Sequence, residues 1–138
     1  MANRSDVAVL SEGYRNLRVR IAGDLDSADL SLAPAITIAM CQNNDPMAGT
    51  LKGFRVNHIQ YANSNSLTSI LEWNAASPAL IALLADANDQ SYCESSGLQP
   101  DLLRSGADGS INLTTTGYIP GTRVGFSIML DLVKIYSN

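Results

Sequence analysis

The chain has 138 residues, the size of one domain, with 46% hydrophobic and only 16% charged residues. An average soluble protein carries roughly 25% charged residues, so much of this surface is neutral. A net charge of −4 excludes a generic nucleic-acid binder, which needs a basic footprint.

A neutral surface suits a protein packed against copies or partners, and equally a plain β-domain. The charge is uneven: Arg4, Arg15, Arg18 and Arg20 lie in the first twenty positions, while Ile21–Ser110 holds ten acids against Lys52, Arg55 and Arg104. A basic beginning and an acidic middle would attract one another between neighbouring copies, or the arginines simply mark an edge strand. The two cysteines, Cys41 and Cys93, have neither metal-ligand spacing nor a disulfide framework, so free thiols in a reducing cytoplasm are expected. Met1–Leu10 lacks a basic start followed by an apolar block, so no secretion signal is expected. No apolar run approaches the roughly 20 residues of a membrane span, and no membrane partner is expected.

Met1–Gly13 is weakly patterned and reads as an arm. The expected division is an extended N-terminal arm over 1–14 and one β-domain over 15–138. Asn16–Ile21 alternates, with Leu17, Val19 and Ile21 on one face and Arg18 and Arg20 on the other, as in a half-buried strand. Gly23–Leu32 is an acidic turn. Counted from Asp24 as a calcium loop, its sixth and twelfth positions are Asp29 and Ala35, not the required Gly and Glu, so a solvated loop is expected.

Ala35–Cys41 reads as a second strand and Gln42–Gly49 as a loop. In the next strand, Gly53–Tyr61, Phe54 and Val56 are out of phase with Ile59 and Tyr61. A bulge near Asn57–His58 reconciles them. The strand Leu67–Trp73 follows, and the two look like a hairpin. Ser77-Pro78 is a helix-start signal, yet Ala79–Leu84 is short and apolar and reads better as a buried strand.

Asp86–Gly109 is the longest polar stretch, and loops of that length are usually functional or contact-making. Leu98, Leu102 and Leu103 within it imply that it packs on something. Ile111–Thr116 and Val124–Tyr136 are the last strands and look like a second hairpin. In the latter, Val124, Phe126, Ile128, Leu130 and Leu132 line one face. Six or seven short strands without a periodic helix predict an all-β, antiparallel two-sheet β-sandwich, jelly-roll-like. Leu71, Trp73, Ile81, Phe126, Ile128 and Leu130 are the expected core anchors.

Chemistry is nearly absent from the pattern. The one histidine, His58, falls on a strand. A Ser-His-Asp set or a Cys93–His58 pair has no sequence motif behind it. No carboxylate pair or phosphate-cradling glycine run stands out, so no catalytic residue, cofactor or metal is expected. Asn3-Arg4-Ser5 and Asn112-Leu113-Thr114 match the glycosylation pattern and mean little without a secretion signal.

From about Asn57 to Tyr136 the chain resembles small virion proteins of tailed bacteriophages. The carrying residues are Leu71-Glu72-Trp73-Asn74-Ala75-Ala76, then Leu80-Ile81-Ala82-Leu83-Leu84, then the loop around Tyr92-Cys93 and Gly97. Gly109-Ser110-Ile111-Asn112-Leu113-Thr114-Thr115-Thr116-Gly117 then leads through Gly121-Thr122 to the last strand. Asn74 stands where the group has aspartate. The resemblance implies a non-enzymatic head decoration or cement protein. Such a subunit dimerises or trimerises on the outer capsid and bridges major capsid protein subunits in a virion assembled in the host cytoplasm. A homodimer is favoured over a trimer on general frequency. Arg4, Arg15, Arg18, Arg20, Leu98, Leu102, Leu103 and Arg104 are the candidate partner contacts. A tail or head–tail connector component is the alternative within that class. A carbohydrate-binding sandwich is the alternative outside it, and would need Trp73 exposed beside Tyr61.

Overall fold

The computed structural model describes residues 3–64, 66–91 and 97–137, with backbone only for 89–91. It is all-β, and among the described residues nine strands form two antiparallel sheets. The strands are β1 Arg4–Glu12, β2 Asn16–Leu25, β3 Ala33–Ile36, β4 Thr50–Asn63 and β5 Thr68–Trp73, followed by β6 Ala79–Ala85, β7 Ala87–Ser91, β8 Ile111–Thr116 and β9 Val124–Ser137. One sheet has the order β1-β2-β9-β4-β7 and the other β3-β8-β5-β6. The sheet pairs nest: β2 with β9, β3 with β8, β4 with β7, and β5 with β6.

Alternation places the core as expected. Leu17, Val19 and Ile21 point inward from β2, and Phe126, Ile128, Leu130 and Leu132 from β9, all buried. Leu71 and Trp73 meet them from β5, with Phe54, Val56 and Ile59 of β4. Of the expected anchors, only Ile81 is partly buried; it is the extra residue of a bulge between the Leu71–Ala82 and Glu72–Leu80 pairs. Every buried side-chain polar atom among the described residues has a partner. One example is the chain from Ser69 Oγ to Asn63 Oδ1 (2.9 Å) and from Asn63 Nδ2 to the Leu84 carbonyl (2.8 Å).

Several expectations need correction. The segment read as an arm is not free: Arg4–Glu12 is an edge strand paired with β2 along its length. Its inward row holds only Val7 and Val9 as apolar side chains, too few to show as periodicity. The stretch Ala35–Cys41 is not one strand. β3 ends at Ile36, and Ile38–Met40 makes a 3-10 turn. Neither expected hairpin forms. β4 and β5 lie in different sheets, as do β8 and β9, so both connections cross the sandwich. The first crossing is pinned where Ser64 N donates to Gly125 O and Gly125 N to Ser64 Oγ, both at 2.9 Å. Ala79–Ala85 is a strand and no helix, but it is an edge strand with exposed Leu80 and Leu83, not a buried one. The polar stretch after Asp86 begins with β7, paired with β4. The bulge in β4 is observed between Val56 and His58.

Candidate functional site

Strand directions gather the turn 13–15, the loops 37–49 and 74–78, and the segment 97–110 at one end of the sandwich. The connections 26–32 and 117–123 lie at the other. Sequence singled out the polar stretch Asp86–Gly109, and the fold sets its part from 97 onward beside the other loops of this end.

Each loop is tied down from beneath. Lys134 continues the inward row of β9 and its side chain is 0% exposed. Its ammonium donates to Glu12 Oε2 (2.7 Å), the Asn43 carbonyl (2.8 Å) and Asn44 Oδ1 (3.0 Å), which uses all three of its protons. Glu12 also accepts the backbone N–H of Asn43 (2.8 Å) and Gln42 (3.3 Å). The Tyr136 hydroxyl accepts from Asp45 N (3.1 Å) and donates to the Tyr14 carbonyl. Strands β1 and β9, the first turn and loop 37–49 thus share one polar cluster built around buried Lys134. Cys41 sits beside it, buried, and burial pushes its thiol up, away from thiolate chemistry. Cys93 lies outside the described residues.

The segment 97–110 is clamped in the same way. Leu98 and Val56 exchange both backbone hydrogen bonds, at 2.8 and 3.0 Å. Leu102 packs on Gly53. Gly109 has φ +82°, and a Cβ there would collide with the Lys52 carbonyl, so only glycine fits. Ala76 N donates to Ser105 O, and Asn74 N to Ser110 O, both at 2.9 Å. Trp73, 8% exposed, forms the floor, with Pro100, Leu102 and Ala107 over it. Its ring and that of Tyr61 are both buried, so neither offers a sugar a stacking face.

Three large apolar side chains stand out among the polar residues left outside. Leu103 is 97% exposed and Met47 90%, with Tyr14 half exposed. Beside Leu103 runs a groove of about 670 Å³ lined by Ile38, Leu51, Lys52, Leu102 and Ala107. Of the candidate contacts, Arg15, Leu98, Leu102, Leu103 and Arg104 meet at this end. Leu98 and Leu102 face the fold, while Leu103, Arg104 and Arg15 face outward. The others lie elsewhere. Arg4, towards the far end, pairs with Asp24 (2.9 Å), and Arg18, on the outer sheet face, with Asp131 (2.6 Å). Arg20 stands beside Arg18's row on that face. Met47 and Tyr14 went unremarked in the sequence, where a single apolar residue in a polar loop carries no signal.

Two carboxyls at this end are held below their ordinary value. Burial works against the charged form of Glu12, but the Lys134 hydrogen bond and the Asn43 and Gln42 amides outweigh it. Burial likewise opposes charged Asp108, and hydrogen bonds from Asn74 and Ser110 prevail. A carboxyl with a depressed value binds its proton less readily folded than unfolded. It stabilises the fold above the unfolded value and loses that contribution as pH falls through the folded one. The urea midpoint is therefore expected to drop between about pH 5 and pH 3, and Glu12→Gln to flatten part of the drop. A midpoint of Glu12→Gln that falls as steeply as wild type would contradict this.

The outer face of the five-stranded sheet places Ser11, Arg18, Asp131 and His58 in one cross-strand row. Ser11 and His58 stand three strands apart, about 14 Å at the usual strand spacing, beyond proton-transfer reach. The acids Asp24, Asp26 and Asp29 each have a partner: Arg4 and Arg123, Arg123, and Thr115 with Tyr118 N. Among the described residues no group of three or more His, Cys, Asp or Glu is placed to hold a metal. Comparison with protein-family models, curated proteins and solved structures finds no match.

Proposed function

We propose that this is a non-enzymatic virion structural protein, a decoration or cement protein. It binds the outer surface of a phage head and stabilises contacts between major capsid protein subunits. The observation that carries this reading is the loop end, where exposed Met47, Leu103 and Tyr14 ride on loops fixed by hydrogen bonds to the body of the fold. A pre-ordered surface that carries a few exposed apolar side chains loses little entropy on docking, so a modest contact repeated over many copies holds a shell. The nested strand pairs support the jelly-roll reading of the sandwich. The resemblance of Leu71–Ala76 and Gly109–Gly117 to phage virion proteins supplies the capsid as partner.

Purified particles test it by copy number. Near-stoichiometry with the major capsid protein is expected. About five to a dozen copies would move the protein to the tail or connector, where symmetry sets such small numbers. A Met47→Asp/Leu103→Asp variant is expected to fold as wild type and lose at least about tenfold in particle occupancy, a cost of about 1.4 kcal/mol. Unchanged occupancy would remove the loop end from the interface.

A further inference from the structure

Four strands end the two sheets: β1 and β7 in one, β3 and β6 in the other. An open edge offers unpaired N–H and C=O groups, and folded proteins guard it with charge, proline or brevity. β1 carries Arg4, Asp6 and Glu12. β3 is four residues long and contains Pro34. β7 is five residues long and contains Asp89. β6 has none of these guards. Its seven residues, Ala79–Ala85, include no charge and no proline, and among the described residues nothing pairs with its outer side.

The strand also displays its apolar side chains. Leu80 is 58% exposed and Leu83 60%. Three positions apart in a regular strand they would point to opposite faces. The bulge at Ile81 sets both on the outer face, opposite Glu72 and Ile70 of β5. The result is an apolar ridge along an open edge.

We infer that β6 is the self-association edge of this protein. The occupant is a second copy of the same chain, its β6 running antiparallel about a two-fold axis, so that two four-stranded sheets become one of eight. Charge argues for a copy of itself. Each chain carries −4, and a two-fold brings each side chain close to its own duplicate. β6 can do this with no like charge opposed. Two of the three charges of β1 are already committed, Arg4 to Asp24 and Glu12 to Lys134. Leu80 and Leu83 of one copy meet Leu83 and Leu80 of the other, the reciprocal contact an isologous interface requires. This inference is independent of the capsid reading and is tested without particles.

Sedimentation velocity of the full chain from about 1 to about 100 µM reads it, the range in which a small strand-edge contact titrates. A species of twice the 14.7 kDa chain mass is expected. Leu83→Lys and, separately, Leu80→Lys are expected to leave circular dichroism unchanged and cut the dimer fraction at least tenfold. In a Cys93→Ser background, Leu80→Cys/Leu83→Cys, which sets a thiol of one copy opposite a thiol of the other, is expected to form a disulfide-linked dimer on mild oxidation, and Ile119→Cys, on the far loops, is not. A wild-type monomer throughout, a trimer, or lysine variants that still dimerise would overturn the inference.

Discussion

Lys134→Met is expected to lower the free energy of unfolding by about 3–5 kcal/mol, the cost of stripping one partner from a buried ion pair. The methionine keeps the length of the chain but leaves the Glu12 carboxylate without its counter-ion. It also orphans the Asn43 carbonyl and Asn44 Oδ1, which meet the ammonium at 2.8 and 3.0 Å. The sign is fixed by desolvation: an unpaired buried charge is worse than no charge. Glu12→Gln/Lys134→Met therefore recovers more than half of the loss, although it removes more polar contacts. Urea unfolding at pH 7, followed by fluorescence of the lone Trp73, measures both. A single variant within about 1 kcal/mol of wild type, or a double variant as weak as the single, would show the cluster to be incidental. Because Glu12 closes β1, the single variant is also expected to loosen amide protection over Arg4–Glu12 before the rest of the sheet.

Trp73→Ala is expected to cost a further about 3–5 kcal/mol, the usual range for emptying an aromatic site in a core. Its second effect is local. Trp73 is the floor under 97–110, so its removal undermines the clamp made by Leu102 and Gly109. Trypsin is expected to cut after the exposed Arg104 faster than in wild type at equal overall stability, which temperature can match. A melting temperature within about 2 °C of wild type would exclude the core role, since 1 kcal/mol alone moves a domain of this size by more.

The strands with clean alternation were legible as sequence: Asn16–Ile21, Leu67–Trp73 and Val124–Tyr136 fall where the period of two puts them. So did the bulge near His58, because a phase change between Val56 and Ile59 has no other cheap explanation. Sheet membership was not legible. Adjacent strands with short connections read as hairpins, whereas β5 and β9 each cross to the other sheet, and nothing local records which sheet a strand joins. β7 escaped notice because Asn88, Asp89 and Gln90 are polar, and its pairing to β4 supplies the order that its composition does not. At the candidate site, the leucines of 97–110 were visible as a group, but not the division of labour that turns Leu98 and Leu102 inward and Leu103 out. Lys134 was the instructive omission. It lies in phase with Leu130 and Leu132, so its burial was written in the parity, and only the habit of treating lysine as solvent-facing hid it.

The nested pairing has a consequence in time. β9 is the last of the nine strands to be made, yet it stands at the middle of its sheet and is the common partner of β2 and β4. Until Val124–Ser137 has been synthesised, those two strands have nothing to join them, and Leu17, Ile21 and Ile59 lack their cover. The sandwich must therefore close late, from pairings that are far apart in sequence, which makes folding slow and leaves apolar edges open while the chain waits. The open edges of that interval, more than those of the finished sandwich, are where partly made chains would meet one another.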